Sequence, residues 1–339
     1  MTKVIMIQDV ISTYNVPIFN IINKYYEFTI LYRNGTVPND VEFNTVKQND
    51  NIYDVVKEND ILICSPNFKN MNFLKLIKKF GRKKTLYYGI GVSASYNHSY
   101  DDNKIVGLFF SIFLRWIGGA IFYSEYPKRK YIELGVNRKK MFVANNTTYV
   151  KKATLSDDRT YLLFIGSLYK EKGIDVLLNT YSEVCKMDNR VPKLLIVGEG
   201  NEKPNIEMFI DKNNISSKIE MLGAIYDEEL LKNIFSHAIV CISPKQAGLS
   251  VLKSMGYGVP FITHKNAITG GEIFNINENN GIIYKDQSEL KNIILDITDN
   301  KKKYFKLGIN AQKYYYEHCT IEHMSKGFID AIKYIESNI

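Results

Sequence analysis

Three glycine-punctuated segments carry the residue types that handle anions and sugars. In the first, an apolar run ending at Phe164-Ile165 is followed by Gly166-Ser167-Leu168-Tyr169-Lys170-Glu171-Lys172-Gly173 and then by the helix-periodic IDVLLNTYSEV. A glycine at a strand end lets a ligand approach the backbone, and a helix start offers free N–H groups and a positive dipole. An anion is therefore expected near Lys172, although many α/β proteins have such a turn and bind nothing there. The second segment runs from Ser243 to Pro260 and includes Lys245, Gly248, Leu249, Ser250 and Lys253. Its pattern reads as a strand ending at Ile242, a loop through Gly248, a helix over 249–257 and a stop at Gly258-Val259-Pro260, which makes a second phosphate-ready helix start. The third segment, Thr269-Gly270-Gly271-Glu272, is a double-glycine loop with one carboxylate. Glu272 there either accepts hydrogen bonds from sugar hydroxyls or caps the next helix.

Such loops work only at the ends of strands. Short apolar runs rich in β-branched and aromatic residues occur at 4–7, 28–32, 61–64, 85–88, 120–123 and 142–144, with helical patterns between them. A polar stretch, 147–160, lacks apolar period and reads as a linker. The alternation then resumes, with strands expected at 161–165, 194–197, 219–222, 238–242, 259–263 and 281–284 and helices at 175–187 and 227–235. Strand–helix alternation implies parallel βαβ units, so the expected fold class is α/β with two Rossmann-like doubly wound domains. Residues 1–150 form the first, 151–320 the second, and 321–339 a terminal helix that packs back on the first.

The 339 residues, 45% hydrophobic and 24% charged, suffice for two buried cores. The net charge of +8 is unevenly spread: residues 1–152 carry 22 basic and 12 acidic side chains, and residues 153–339 carry 22 and 24. The basic excess concentrates at Lys78, Lys79, Arg82, Lys83 and Lys84, at Lys128, Arg129 and Lys130, and at Arg138, Lys139 and Lys140. It reads either as a face toward anionic lipid or as solvated helix ends. The most apolar segment, 105–123, is interrupted by Arg115, and its longest uncharged run is about half of the roughly 20 residues that span a bilayer. A buried helix is the first reading and a helix lying on a membrane surface the second.

MTKVIMIQDV reads as a core strand and not as an export leader, so a cytoplasmic setting is expected. Cys64, Cys185, Cys241 and Cys319 are dispersed, without CxxC spacing, and no metal site is expected. His264 follows a strand end, where doubly wound sheets bind ligands, and His98 lies in the polar loop SYNHSYDD. The basic residues are not interleaved with aromatics as in a nucleic-acid module, so no nucleic-acid partner is expected.

The order of these motifs resembles glycosyltransferase family four, the retaining enzymes of GT-B architecture, with two Rossmann-like domains facing a central cleft, and among them the polysaccharide-assembly branch. Gly166-Ser167 through Lys172-Gly173 resembles the family's donor-phosphate turn, Gly198-Glu199-Gly200 its second βα turn, and Met221-Leu222-Gly223 the segment lining the nucleobase. Gly248-Leu249-Ser250 through Gly258-Val259-Pro260 resembles the signature helix, and Gly270-Gly271-Glu272 the loop after it. Within the first half, Phe122-Tyr123-Ser124-Glu125 and Val143-Ala144-Asn145-Asn146 resemble the end of an acceptor domain, with Gln8-Asp9, the loop 89–96 and Asn146 toward the acceptor. The family's two glutamates are replaced by Lys245 and Lys253, and the basic residue after the first glycine by Ser167.

The resemblance implies a metal-independent hexosyltransferase that moves sugar from a nucleotide-diphosphate donor to a glycan or lipid-linked acceptor, peripheral on the inner face of an anionic membrane. Lys172 and Glu272 are the expected catalytic groups. The donor would contact Gly166, Ser167, Gly198, Gly223, Lys245, Gly248, Leu249, Ser250, Lys253 and Gly271. Lys245 and Lys253 are expected to add charge beside the donor phosphates. No carboxylate pair suited to double displacement is visible, so the leaving phosphate oxygen is expected to take the acceptor's proton. A sugar-nucleotide epimerase of the same architecture and an inactive transferase-like protein are the alternatives.

Overall fold

The computed structural model describes residues 1–48, 61–65, 77–78, 81–94 and 100–338. Lys79, Tyr96 and His98 lie outside the described residues. Two compact units emerge: Met1–Ala94 with Asp101–Tyr149 and Thr320–Ile339, and Ser95–Tyr100 with Val150–Cys319.

Unit 1 holds a seven-stranded, all-parallel sheet of order β3-β2-β1-β4-β5-β6-β7. The strands are β1 Lys3–Gln8, β2 Glu27–Tyr32, β3 Asn44–Lys47, β4 Ile61–Cys64, β5 Thr85–Gly89, β6 Gly119–Phe122 and β7 Met141–Val143. Helices cover both faces of a parallel sheet, so its inner strands read as unbroken apolar runs; β4, ILIC, is buried throughout. Strand β3, NTVK, is one of the two edge strands and has no such run. Among the described residues, the helices that precede unit 2 in the chain are α1 Val16–Asn23, α2 Lys104–Trp116 and α3 Glu125–Glu133.

Helix α2 departs from the buried-helix expectation. Asn103 caps it by accepting from the Val106 N–H at 3.1 Å. One face buries Gly107, Ser111, Phe113 and Leu114, whereas Ile105, Val106, Leu108, Phe109 and Ile112 on the other are exposed. Its 13 residues extend about 20 Å, short of the roughly 30 Å hydrocarbon core. Among the described residues no helix is long and apolar enough to cross a membrane.

Unit 2 carries a six-stranded parallel sheet of order β10-β9-β8-β11-β12-β13. Its strands are β8 Tyr161–Ile165, β9 Lys193–Val197, β10 Ile219–Gly223, β11 Ala238–Ile242, β12 Phe261–His264 and β13 Gly281–Tyr284. Flanking helices are α4 Ile174–Met187, α5 Lys203–Lys212, α6 Glu228–His237, α7 Leu249–Gly256, α8 Gln287–Asp299 and α9 Lys301–His318. Leu162, Phe164, Leu177, Tyr181 and Ile196 belong to one core cluster of this unit. The polar stretch before β8 is pinned at its end: Arg159 is buried, donates to the Ala238 carbonyl at 2.9 Å and lies over the Phe305 ring.

The last helix, α10 Ile321–Glu336, belongs to unit 1. Met324, Phe328 and Ile332 join the cluster that holds Phe19 and Phe28, and Gly327 lies so close to β7 that a Cβ there would sit 2.2 Å from the Val143 carbonyl oxygen. The chain thus completes unit 1 only after unit 2 has been threaded.

Candidate functional site

From β8 the sheet of unit 2 grows through β9 and β10 on one side and through β11 to β13 on the other. The loops after β8 and β11 therefore part at the strands' C-terminal ends, the crevice where doubly wound sheets bind ligands. Three of the expected glycines step across this edge in register. Gly166 (φ +148°) donates its N–H to the Val197 carbonyl at 3.0 Å, and Gly198 (φ +157°) donates to the Gly223 carbonyl at 2.8 Å. A Cβ on Gly198 would lie 1.9 Å from the Gly166 oxygen, so backbone proximity dictates glycine there. Ser167 is exposed at the crevice rim.

Lys172 ends a short 3-10 turn, Lys170–Lys172, and Gly173 (φ +72°) then starts α4. The Lys172 ammonium points back at Gly166, 3.6 Å from where a Cβ would stand on that residue. Burial pulls it below the ordinary lysine range. No carboxylate or carbonyl of the described residues pairs with it. A half-buried cation without a protein counterion favours an approaching anion, because a charge partner offsets part of what desolvation costs.

The β11 loop closes the other wall. Lys245 donates its backbone N–H to the Lys172 carbonyl at 3.3 Å, and its aliphatic stem packs on Gly173, where a Cβ would meet Lys245 Cγ at 2.5 Å. The exposed Lys245 ammonium is 3.6 Å from Asp175. Gly248 then precedes α7; no side chain caps that helix, and a Cβ on Gly248 would meet nothing within 4 Å. The N–H groups of Leu249 and Ser250 begin a helix and have no carbonyl within it to bond.

Lys253, expected to add charge beside the donor, and Glu272, for which the sequence left capping open beside sugar binding, are both engaged within the fold. Lys253 does not add free charge to the crevice: its ammonium pairs with Glu228 at 2.7 Å, and the Tyr257 hydroxyl donates to the same carboxylate at 2.8 Å. Electrostatics favours this pairing over two cations side by side. Glu272 is 4% exposed, and its Oε2 accepts from the Gly270 N–H at 2.7 Å and the Thr269 hydroxyl at 3.1 Å. It braces the loop that contains Gly271 (φ +125°), as an acid capping its own turn. His264 likewise uses both ring nitrogens locally, Nε2 on the Lys285 carbonyl at 2.8 Å and Nδ1 on the Asn266 N–H at 3.1 Å.

Sequence reading missed Glu228 and Tyr257 as partners of Lys253, because the contact spans 25 residues between two helices and leaves no local spacing. It also passed over Tyr226, three residues after Gly223 and 86% exposed, an aromatic face at the end of the sheet. Its signal was available: a large aromatic in the short segment Ala224-Ile225-Tyr226 between the strand end and the helix cap Asp227. In unit 1 a separate cavity of about 230 Å³ lies past the ends of β4 and β5, lined by Ser65, Tyr87, Asp101, Asn103, Phe110 and Tyr131 among others. Asp101 is held there by the Tyr126 hydroxyl at 2.9 Å and by the Lys130 ammonium.

Residues 145–314 match the family described as glycosyl transferases group 1. An uncharacterized glycosyltransferase of Methanocaldococcus jannaschii is 25% identical over 150 residues, 42% of this chain and 38% of that protein. The alpha-monoglucosyldiacylglycerol synthase of Acholeplasma laidlawii is 22% identical over 191 residues, 53% of this chain and 46% of the synthase. The match thus spans less than half the length of these curated relatives. Among solved structures, Anabaena HepE in complex with UDP superposes with a TM-score of 0.71 at 15% identity, covering 98% of this chain and 100% of that one.

Proposed function

The chain belongs to the glycosyl transferases group 1 family, and from that premise we propose that it transfers a hexose from a nucleotide-diphosphate sugar to a lipid-linked glycan acceptor, with retention at the anomeric carbon and without a metal ion. The observation that carries this reading is Lys172, an unpaired, half-buried ammonium at the switch point of the unit 2 sheet. A diphosphate needs a cation and N–H donors within a few ångströms, and the crevice offers Lys172, Lys245 and the start of α7. The exposed Tyr226 beyond Gly223 supplies a platform for the nucleobase.

When the bond between the anomeric carbon and the diphosphate oxygen breaks, negative charge grows on the leaving oxygen, and Lys172 with the Leu249 and Ser250 N–H groups stabilises it. The acceptor hydroxyl attacks the same face of the sugar, and its proton passes to the leaving oxygen. No carboxylate pair is required. The cavity in unit 1, with its mixture of hydroxyls, amide and aromatic faces, suits a sugar acceptor. The solved neighbour bound to UDP and the relative that is a glucosyldiacylglycerol synthase support a nucleotide-sugar donor and a lipid acceptor. Titration with UDP and other nucleoside diphosphates, followed by incubation with radiolabelled nucleotide-sugars and a lipid acceptor extract, tests the proposal. Binding of a nucleoside diphosphate with label appearing in lipid is expected; no binding of any nucleotide would refute it.

A further inference from the structure

Helix α2 presents to solvent a stripe that soluble helices bury. Ile105, Leu108, Phe109 and Ile112 follow i, i+3, i+4, i+7 spacing and are 53–69% exposed, while the opposite face supplies the core contacts. Lys104 and Arg115, both exposed, stand 11 residues apart, three turns along one edge of the same stripe.

Two basic turns converge on the C-terminal end of this helix. Arg82–Lys84 and Arg138–Lys140 are each a 3-10 turn of sequence RKK. The Gly118 N–H donates to the Arg82 carbonyl at 2.8 Å, and the Lys140 ammonium donates to the carbonyls of Arg115 and Ile117 at 3.0 and 2.7 Å. Lys140 is spent on the helix terminus, which leaves Arg82, Lys83, Arg138 and Lys139 exposed around it. An apolar face some 20 Å long, rimmed by cations, complements a surface that is apolar at depth and anionic at its rim.

We infer that α2 is a membrane-docking helix that lies in the interface of an anionic bilayer, with Ile105, Leu108, Phe109 and Ile112 among the acyl chains and the two RKK turns on the lipid headgroups. The helix is too short to span, and its polar backbone is internally bonded, so it seats parallel to the surface. The inference rests on the membrane-associated acceptor proposed above, but it is separable from the transfer reaction because none of these residues belongs to the donor crevice.

The full chain is sedimented with vesicles of phosphatidylcholine alone and with 30% phosphatidylglycerol, over a salt series, as wild type, Phe109→Asp, Ile112→Asp and Arg138→Glu/Lys139→Glu. Wild type is expected to bind the anionic vesicles and to release them as salt rises, since the attraction is screened. Phe109→Asp and Ile112→Asp are each expected to weaken binding more than tenfold, and the charge reversal at least fivefold per residue changed. All four are exposed positions, so circular dichroism, melting temperature and UDP titration should match wild type and certify the fold. Wild type that binds neither vesicle, or Phe109→Asp that binds as well as wild type, overturns the inference. So does a concentration-dependent dimer in sedimentation velocity that Phe109→Asp abolishes in the absence of vesicle binding, which would make the stripe a contact between copies. Vesicle binding without nucleotide binding sinks the transferase reading and leaves the docking helix standing; the reverse outcome does the opposite.

Discussion

At the residue scale the proposed donor crevice centres on Lys172, with which no carboxylate or carbonyl of the described residues pairs. A charge-assisted contact between Lys172 and a diphosphate is worth about 1.5–3 kcal/mol, so Lys172→Ala should weaken UDP binding about ten- to a hundredfold in calorimetry without changing the melting temperature downward. The pH dependence follows from the direction of its shift. Burial lowers the Lys172 pKa in the free protein, so holding it charged costs stability at low pH, and that cost begins to fall at the lowered pKa and is gone once pH passes the ordinary lysine value of the unfolded chain. A bound anion favours the charged form. Nucleotide affinity should therefore be full below that pKa and fall as pH rises through it, earlier than an ordinary lysine would dictate, and Lys172→Arg should flatten the fall. Lys253 calls for a different experiment, since its partner is Glu228 and not a ligand. A double-mutant cycle with Lys253→Ala and Glu228→Gln should give a coupling of about 0.5–2 kcal/mol in urea unfolding. Lys253→Glu, which brings two carboxylates together, should lower stability more than Lys253→Ala.

At the element scale the two glycine-bearing loops differ in what they tolerate. Gly198 sits at φ +157° with a carbonyl oxygen where its Cβ would be, so Gly198→Ala should destabilise unit 2 by about 2–4 kcal/mol or prevent its folding. Gly248 faces open space at φ −108°, and Gly248→Ala should cost no more than about 1 kcal/mol, mainly through the poorer helix cap. If α7 receives the diphosphate, the added methyl stands before its N–H groups, and UDP affinity should drop while the melting temperature barely moves. Equal affinities would remove the start of α7 from the donor site.

On the scale of the whole molecule, unit 1 is completed by a helix that the chain reaches last. Phe328 packs edge-on against Phe19, with ring centroids 6.2 Å apart, and against Tyr88 at 4.7 Å. Phe328→Ala should cost about 3–5 kcal/mol, and removal of residues 320–339 should expose the α1 face and abolish the unfolding transition of unit 1. Unit 2 contains none of these contacts, so UDP binding should persist in the truncated chain; its loss would mean that the donor site needs both units.

The sequence by itself determined the two parallel sheets, because buried strands must be continuous apolar runs separated by helical patterns, and the segments 61–64, 161–165 and 238–242 read so without ambiguity. It also placed Gly166, Lys172 and the start of α7 at strand ends, since glycine punctuation is a local signal. It could not see β3, whose NTVK lies at an exposed edge and needs no apolar pattern. Nor did it show which face of the 105–123 segment meets solvent: an apolar helix with one charge reads as buried until the packing of Phe113 and Leu114 fixes the turn that leaves Phe109 outside. The destinations of Lys253 and Glu272 were decided by tertiary structure for the same physical reason. A charged side chain goes to the partner that offsets its desolvation, and whether that partner is Glu228 on another helix, the N–H groups of its own loop, or an anion yet to bind depends on distances that only the folded chain sets.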